Sequence, residues 1–461
     1  MKQFYNITVI GAGYVGLVTS ACLASIGHTV YCFDIDINKI QKLNLGDVYI
    51  HEPTLSELII KQIKLNKLVF TNDLPTAVNA AEVFFIAVGT PQEIDGKANL
   101  QFVEEAILQI TALFTLNNYK LIVIKSTVPV GTCRVMYDKV SSLKPDLDFD
   151  IASNPEFLRE GSAVFDFINP DRIVIGVNKQ HKKQDISTNI LKNIYKHFLD
   201  REIPVLFNDL ESAELIKYAS NCFLAVKIAF INELADFCVG INKALGADLN
   251  TLTVAHAMGL DPRIGYQFLQ PGPGFGGSCF PKDTLALDYC AKQYSVNLSI
   301  LSAAIKANQH RIKNLSKKII NICRQAKIGS VADKTIAILG IAFKANTDDI
   351  RDSPAIPVVN DLHNKGALLR VYDPQAVTNG KIFFKDLKNI FWVDDLYDAV
   401  ANSDLVVILT EWPEFINVDL VRLKNLIKSS PYVIIDFRNL FCVKAMHSHG
   451  FDYYAMTNGR L

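Results

Sequence analysis

The sequence has no net charge, no CxxC pair and no long apolar run. Its 461 residues contain 47 Lys and Arg against 47 Asp and Glu, so it lacks the basic excess that favours nucleic-acid or membrane-surface binding. No segment offers about 18 uninterrupted apolar residues, which predicts that no helix spans a membrane. We therefore expect neither nucleic acid nor a membrane as a partner. A local basic pocket for a phosphorylated ligand remains compatible with a neutral total.

Nine cysteines are scattered through the chain. An odd number without a CxxC pair fits neither a disulfide framework nor a zinc cluster. His51, His256 and His310 have no ligand-like spacing either, so we expect no bound metal. Such cysteines are typical of reduced thiols in a cytoplasmic protein, where most of them act as small buried apolar groups.

Short β-branched runs alternate with helical stretches at the start of the chain, which predicts a mostly parallel sheet with helices on both faces. The predicted strands there are Ile7–Ile10, Val30–Phe33, Val83–Val88, Leu121–Lys125 and Ile173–Gly176. The alternation resumes late in the chain, with predicted strands at Thr335–Leu339, Leu368–Tyr372, Leu405–Leu409 and Val433–Ile435. We expect an N-terminal Rossmann-like α/β domain over 1–207, a central helical domain over 208–326 and a C-terminal α/β domain over 327–461.

A long helix is predicted from Asn208 to about Gly246, because this stretch contains no proline and no internal breaker. Asn208 and Glu211 have the spacing of an N-cap and capping box. The helix is apolar around much of its circumference, so we expect it to cross between domains and to bury one face against a partner subunit. After a Gly-Pro-rich segment, a further helical region is predicted up to about Arg324.

The apolar stretch from Phe4 to Phe33 imitates a secretory signal, but four glycines interrupt it and Asp34 follows it, which favours a strand, turn and helix. The segment Gly11–Gly16 (GAGYVG) is a GxGxxG motif directly after a predicted strand, where helix amides can face a pyrophosphate. Asp34 ends the second strand and can bind the adenosine ribose, which favours NAD over NADP. The alternative is that Asp34 only caps a strand end.

Two further motifs, Val88–Pro91 and Lys125–Pro129, also follow predicted strands. Their hydroxyl groups are expected at the carboxyl edge of the sheet, where ligands collect. Taken alone, both segments are equally compatible with ordinary turns.

The segment Gly274–Asp283 (GFGGSCFPKD) is the most informative in the chain. Its glycines let the backbone approach a ligand closely and supply amides for an oxyanion. Cys279, beside Lys282 and a predicted helix start, is in a setting that stabilises a thiolate. The alternative is a loop with an unreactive buried cysteine.

Five motifs in this order resemble the UDP-glucose 6-dehydrogenases of the UDP-glucose/GDP-mannose dehydrogenase family over nearly the whole chain. They are the GAGYVG turn, Ser126–Pro129, Asn154–Gly161 (NPEFLREG), Lys217–Asn221 (KYASN) and GFGGSCFPKD. The resemblance implies oxidation of the primary alcohol of a nucleotide sugar to a carboxylate, with two NAD reductions. It also implies that the C-terminal domain binds UDP.

In that chemistry an aldehyde must become a hydrate or a covalent adduct before a second hydride can leave, and a cysteine supplies the covalent route. The resemblance implies that Cys279 forms a thiohemiacetal and then a thioester, while Lys217 and Asn221, one helical turn apart, hold the reacting oxygen. Asp283 would position water or the thiol, Glu156 would assist thioester hydrolysis, and Thr127 would contact that water or the nicotinamide. The alternatives are a solvated lysine, a helix-capping aspartate and an ordinary loop glutamate.

The resemblance also implies the binding residues and a homodimer or higher homo-oligomer, in which Arg263 reaches the sugar bound by the neighbouring subunit. The cofactor residues are Gly11, Gly13, Tyr14, Val15, Gly16, Asp34, Lys39, Thr90, Thr127, Glu160, Lys282 and Arg351. The substrate residues are Glu156, Phe157, Leu158, Lys217, Asn221, Arg263, Tyr266, Phe268, Leu269, Gly272, Gly276, Lys344 and Arg438.

UDP-glucose is the expected substrate. Two rivals remain: a sister enzyme acting on UDP-N-acetylmannosamine or GDP-mannose, and a non-catalytic NAD-binding sensor of nucleotide sugars. The set of Cys279, Lys217 and Asn221 argues against the sensor, since binding alone requires no nucleophile.

Overall fold

A computed structural model describes residues 4–116, 118–428 and 430–457. The chain divides into two compact units. The first contains the residues up to Ser220 together with Leu285–Val296, and the second contains Asn221–Thr284 and the residues from Asn297 onward.

The first unit is built on an eight-stranded sheet in the order β3-β2-β1-β4-β5-β6-β7-β8. All neighbouring strands are parallel except β6 and β7, which pair antiparallel. The strands are β1 (Asn6–Ile10), β2 (Thr29–Phe33), β3 (Leu68–Thr71), β4 (Val83–Ile86), β5 (Lys120–Ile124), β6 (Phe149–Ser153), β7 (Ile173–Val177) and β8 (Val205–Asp209). The helices are α1 (Tyr14–Ser25), α2 (Ile37–Asn44), α3 (Leu55–Lys64), α4 (Leu74–Ala80), α5 (Gln101–Ala112), α6 (Thr132–Leu143), α7 (Ala163–Ile168), α8 (Gln184–Ile194) and α9 (Lys196–Leu199).

Apolar side chains cover both faces of this sheet, which explains why its central strands are continuous hydrophobic runs. Phe84 and Phe85 on β4 are both fully buried but belong to separate hydrophobic clusters. Successive side chains of a strand point to opposite faces, so each residue fills one of the two cores.

Four helices connect the two sheets along the chain: α10 (Leu210–Leu245), α11 (Thr251–Gly259), α12 (Phe280–Gln293) and α13 (Ser299–Gln325). The long helix and the helical region ending near Arg324 are confirmed. The predicted capping box is wrong, because Asn208 still belongs to β8 and Asp209 provides the cap. Its Oδ1 accepts from the Ser212 amide at 2.8 Å, while Glu211 pairs with Arg134.

The second unit is built on a six-stranded parallel sheet in the order β11-β10-β9-β12-β13-β14. Its strands are β9 (Thr335–Leu339), β10 (Leu368–Tyr372), β11 (Ile390–Trp392), β12 (Leu405–Ile408), β13 (Val433–Asp436) and β14 (Asp452–Ala455). Its helices are α14 (Ala355–Asn364), α15 (Val377–Phe383), α16 (Leu396–Val400), α17 (Pro413–Ile416), α18 (Leu420–Leu426) and α19 (Val443–Ser448).

All nine predicted strands are present, and the α/β, helical, α/β order along the chain is confirmed. Five strands were missed: β3, β6, β8, β11 and β14. Four of them lie at sheet edges, and three of these, β3, β8 and β11, are partly exposed and have short apolar runs. The domain boundaries after residues 207 and 326 stay a prediction.

Candidate active site

The glycine-rich turn follows β1, and α1 begins at Tyr14. Gly11 has a φ of +103°, a conformation that only glycine adopts without strain. A Cβ at Gly16 would lie 1.8 Å from the Gly11 carbonyl oxygen, so helix and strand could not pack this closely with a side chain there. A Cβ at Gly13 would meet no atom within 4 Å. The turn is therefore open at Gly13, as close approach of a pyrophosphate requires.

Asp34 is fixed at the end of β2 beside this turn. Its Oδ2 accepts from the Ala12 amide at 2.8 Å, and its Oδ1 accepts from the Asp36 amide at 3.0 Å. The carboxylate is half-buried and its remaining lone pairs are suited to ribose hydroxyls. Lys39 lies in α2, close by in sequence, with its ammonium 5.9 Å from the centre of the Tyr49 ring.

A buried acid that the sequence analysis missed supports the same turn. Glu52 accepts from the Tyr14 hydroxyl and, at 2.7 Å each, from the amides of Gly161 and Ala163. Burial, and then Glu52, raise the pKa of Tyr14. Glu52 thereby ties the GAGYVG turn to the segment that contains Glu160. No periodicity or motif marked this acid in the sequence.

Two threonines of the predicted site meet at the carboxyl edge of the first sheet. The Thr90 hydroxyl donates to the Thr127 carbonyl at 3.0 Å, and Ser126 donates to the Val88 carbonyl at 2.7 Å. These bonds join the segments that follow β4 and β5, which are neighbouring strands.

Lys217 and Glu156 form a buried ion pair in the first unit. Lys217 Nζ lies 2.9 Å from Glu156 Oε1, and the Leu158 amide donates to Glu156 Oε2 at 2.5 Å. Burial alone raises the pKa of Glu156, but Lys217, the Leu158 amide and Lys125 outweigh it and hold the pKa below its ordinary value. Lys217 also lies 5.4 Å from the centre of the Phe157 ring.

A second buried lysine, which the prediction did not include, lies in this unit. Lys125 Nζ donates to Asn154 Oδ1 at 3.1 Å. Burial lowers the pKa of Lys125 to about 8, and Lys217 contributes in the same direction. With Glu156 and Lys217 it forms a buried cluster of two cations and one anion, which suits a site where negative charge develops.

Cys279 is half-buried immediately before α12 in the second unit, as predicted. Its carbonyl accepts from the Asp283 amide at 2.8 Å. Asp283 is itself 1% exposed, and its two oxygens accept from Asn221 Nδ2 and Lys282 Nζ, both at 2.7 Å. Three predicted site residues therefore form one hydrogen-bonded group at the start of the cysteine helix.

The predicted substrate loop lies before this helix. Phe268 has a φ of +64°, and its ring centre lies 5.9 Å from that of Phe280, the residue after Cys279. Leu269 is buried against α10 and α11, while Tyr266 stacks on His256. Arg263 stands apart from the cysteine group: it pairs with Asp261 at 2.6 Å, and its side chain is 87% exposed.

The remaining predicted substrate residues meet around the glycine-rich loop. Gly277 donates its amide to the Arg351 carbonyl at 2.9 Å, and a Cβ at Gly276 would lie 2.2 Å from the Asp352 carbonyl oxygen. Arg438 donates to the Phe343 carbonyl at 2.7 Å, next to Lys344. The loop thus packs on the segment between β9 and α14.

The chain is similar to known proteins along most of its length. Three models of the UDP-glucose/GDP-mannose dehydrogenase family match it: the NAD binding domain over residues 5–199, the central domain over 211–310 and the UDP binding domain over 337–442. The chain belongs to this family. NAD is accordingly its cofactor, and the three-part architecture is confirmed.

Among curated relatives, the chain is similar to UDP-glucose 6-dehydrogenase TuaD of Bacillus subtilis. They are 43% identical over 452 residues, which cover 98% of this chain and 93% of the relative. The UDP-glucose 6-dehydrogenase of Rhizobium meliloti is also 43% identical, with coverage of 97% and 98%.

Two solved structures extend the comparison. A UDP-glucose dehydrogenase from Pyrobaculum islandicum has a TM-score of 0.85 and 34% identity, with 98% of each chain covered. A UDP-D-ManNAc dehydrogenase from Pyrococcus horikoshii has a TM-score of 0.83 and 26% identity, with coverage of 99% of this chain and 100% of that one.

Proposed function

We propose that this protein is an NAD-dependent dehydrogenase that oxidises the C6 alcohol of UDP-glucose to the carboxylate of UDP-glucuronate. The observation that carries the proposal is the half-buried Cys279 at the start of α12, beside the group of Asn221, Lys282 and Asp283. A dehydrogenase that stops at the aldehyde has no need of a nucleophile, whereas oxidation to the acid has a use for one.

The turn and its neighbours hold the cofactor through the residues named from the resemblance. Open space at Gly13 admits the pyrophosphate, and Asp34 accepts from the ribose hydroxyls. NAD⁺, when bound, supplies the hydride acceptor for both oxidations.

Lys217 and Asn221 stabilise the oxygen on the reacting carbon as it gains negative charge. The thiol of Cys279 adds to the aldehyde carbon, and its proton passes to the aldehyde oxygen, which gives a thiohemiacetal. Loss of hydride from that carbon, with loss of the hydroxyl proton, gives a thioester. Water then attacks the thioester, breaks the carbon–sulfur bond and releases the acid and the thiol.

Glu156 assists that hydrolysis as the base or through a water. The low pKa of Glu156 keeps it ionised at neutral pH, as a proton acceptor must be. Asp283 orients Asn221 through their 2.7 Å bond and positions the water or the thiol, and Thr127 contacts the attacking water or the nicotinamide.

The proposed substrate contacts are the residues of the loop before Cys279, the segment after Glu156, and Lys344 and Arg438. Lys344 meets the negatively charged diphosphate or the polar groups of the nucleotide. The rival substrates UDP-N-acetylmannosamine and GDP-mannose are less favoured, because the curated relatives compared above are named for UDP-glucose. A non-catalytic sensor would leave Cys279 without a role.

A homodimer is part of the proposal. On α10, Phe223, Phe230 and Phe237 are spaced seven residues apart and are 65%, 47% and 62% exposed. That spacing places them on one side of the helix, a pattern typical of helix pairing. Arg263 projects its guanidinium outward, which suits contact with a sugar held by the second copy. Light scattering should give twice the chain mass for the wild type and a lower mass for Phe230→Glu.

A cytoplasmic location is the last element of the proposal. None of the nine cysteines, which all lie within the described residues, is in a disulfide, including the half-buried and exposed ones. Persistent free thiols are typical of a reducing compartment. Among the described residues, none of the helices is both long and apolar enough to cross a membrane.

The test uses cysteine variants. Cys279→Ser should lose at least about 100-fold in kcat with UDP-glucose and NAD while still binding both, because it lacks the thiolate. Cys290→Ser is the matched control, since Cys290 is a half-buried cysteine on α12, the helix that directly follows Cys279, and it should keep wild-type turnover. Near-normal activity of Cys279→Ser, or no wild-type turnover of UDP-glucose, would overturn the proposal.

A further inference from the structure

The loop from Pro271 to Gly277 is held at its backbone by side chains that the family resemblance did not include. Its glycines make the free loop flexible, and Gly274 has a φ of +122°. The loop nevertheless leads directly into Cys279, whose position must be defined to a fraction of an ångström for covalent chemistry. The rigidity must therefore come from outside the loop.

Asn308 on α13 binds both backbone groups of Phe275. Its Oδ1 accepts from the Phe275 amide at 2.8 Å, and its Nδ2 donates to the Phe275 carbonyl at 3.0 Å. Asn308 is 7% exposed. This paired bond imitates the backbone pairing of a strand and fixes the loop four residues before Cys279.

Arg311, one turn further along α13, and Asn232 on α10 bind both backbone groups of Gly272. Arg311 Nε donates to the Gly272 carbonyl at 2.6 Å, and Asn232 Oδ1 accepts from the Gly272 amide at 2.8 Å. A second guanidinium nitrogen of Arg311 contacts the Asn232 carbonyl at 3.1 Å and Asp236 at 3.0 Å. Arg311 is 6% exposed, so a buried guanidinium charge is held by these three contacts.

We propose that Asn232, Asn308 and Arg311 are positioning residues for the reaction. They set the backbone of Gly272 and Phe275, and through it the place of the sugar relative to the Cys279 sulfur. This inference rests on the proposed function. It predicts that loosening the loop impairs sugar positioning and chemistry while leaving NAD binding alone.

Asn308→Asp tests the inference with almost no change in volume. The carboxylate still accepts from the Phe275 amide, but it cannot donate to the Phe275 carbonyl and repels it instead. We expect kcat with UDP-glucose to fall about 10- to 100-fold and KM for UDP-glucose to rise about 3- to 10-fold, with KM for NAD within about twofold of wild type. The rate of Cys279 alkylation by iodoacetamide, followed by mass spectrometry, should also change, and UDP-glucose should protect the thiol less.

The chain offers a matched control. Asn242 on α10 makes the same paired bond to Leu249, with both distances at 2.8 Å, but on a different loop. Asn242→Asp should leave kcat, both KM values and the alkylation rate unchanged. Arg311→Met is the second loop variant, should Asn308→Asp fail to fold, and it should give the same split between the two KM values.

The outcomes separate this inference from the proposed function. If wild-type protein turns over UDP-glucose but Asn308→Asp and Arg311→Met behave like Asn242→Asp, the positioning role is wrong and the proposed function stands. A parallel loss of NAD and UDP-glucose affinity would also contradict it, because that result indicates general destabilisation. If the wild type does not turn over UDP-glucose, the proposed function itself fails.

Discussion

The two sheets of this protein share one topology but use it differently. In each, the six strands counted from one edge follow the order 3-2-1-4-5-6 in their own numbering, with the first strand beside the fourth. This arrangement creates a crevice at the carboxyl ends of the strands. In each sheet an aspartate directly follows the second strand: Asp34 after β2 and Asp373 after β10.

The partners of these two acids differ. Asp34 is half-buried and accepts two backbone amides, one per oxygen. Asp373 is 1% exposed and accepts five N–H groups: the amides of Ile341, Ala342, Gln375 and Ala376 and the indole N–H of Trp412.

The shared topology thus places an acid at each crevice, while the number of N–H donors within the chain decides what that acid can bind. Asp34 keeps acceptor capacity for a ribose. Asp373 is occupied by its own chain and holds the turn after β9 instead. In the first sheet a short glycine turn leads directly into a helix. In the second sheet a longer loop, containing Lys344 and Arg351, lies between β9 and α14.

The largest expected effect is on stability in the second unit. Asp373→Ala leaves five buried or half-buried donors without their acceptor, so we expect a loss of about 3 to 5 kcal/mol in the free energy of unfolding. Both tryptophans, Trp392 and Trp412, lie in this unit, so urea unfolding followed by tryptophan fluorescence reports on it. If Asp34→Ala destabilises the protein as much as Asp373→Ala does, the two acids do not differ in their structural role.

The second prediction concerns the buried ammonium group of Lys125, which directly follows β5 of the first sheet. Below pH 8 Lys125 is protonated in the folded and the unfolded chain, so the cost of burying its ammonium is present in full. Between about pH 8 and the ordinary lysine pKa of 10.5, the folded state gives up its proton first. The free energy of unfolding of the wild type should therefore rise over this pH range by roughly 2 to 3 kcal/mol relative to that of Lys125→Met.

Amide hydrogen exchange of the β5 and β6 peptides, corrected for intrinsic exchange rates at each pH, measures that difference. A stability gap between wild type and Lys125→Met that stays constant from pH 7 to 10.5 would show that the buried ammonium carries no such cost.

The third prediction separates two glycines of the same turn. Gly16→Ala should cost about 3 kcal/mol, because its Cβ would lie 1.8 Å from the Gly11 carbonyl oxygen. Gly13→Ala should change stability by less than about 0.5 kcal/mol, since its Cβ would meet no atom, yet it should weaken NAD binding at least about tenfold. Thermal unfolding and calorimetric titration with NAD check the pair. If Gly13→Ala binds NAD with wild-type affinity, the pyrophosphate does not bind close to Gly13.

The smallest expected effect is that of replacing Asp34 on the binding of NAD. Asp34→Asn keeps one acceptor oxygen for the two amides that Asp34 binds, places an NH2 group where the other oxygen was and loses the charge, so we expect NAD affinity to fall about 3- to 10-fold. The wild type should prefer NAD over NADP strongly, and the variant should narrow that preference. Initial rates with both cofactors at equal concentration measure it, and an unchanged ratio would mean that another group rejects the 2′-phosphate.

Much of the fold and part of the site could be predicted from the sequence. Long apolar runs marked the central strands, and glycine spacing marked the dinucleotide turn, because these signals are local. The residues Glu52, Lys125, Asn308 and Arg311 could not be found this way. Each acts through a partner between 29 and 111 positions away, and no spacing rule connects a buried polar side chain to a distant backbone or side-chain partner.

The most direct measurement of the central claim is the stoichiometry of the reaction. Purified protein is incubated with excess NAD and a limiting amount of UDP-glucose until NADH formation stops, and the sugar products are separated. We expect two NADH to be formed per UDP-glucose consumed, with UDP-glucuronate as the product. One NADH per sugar with release of an aldehyde would contradict the role of Cys279, and no NADH would contradict the function as a whole.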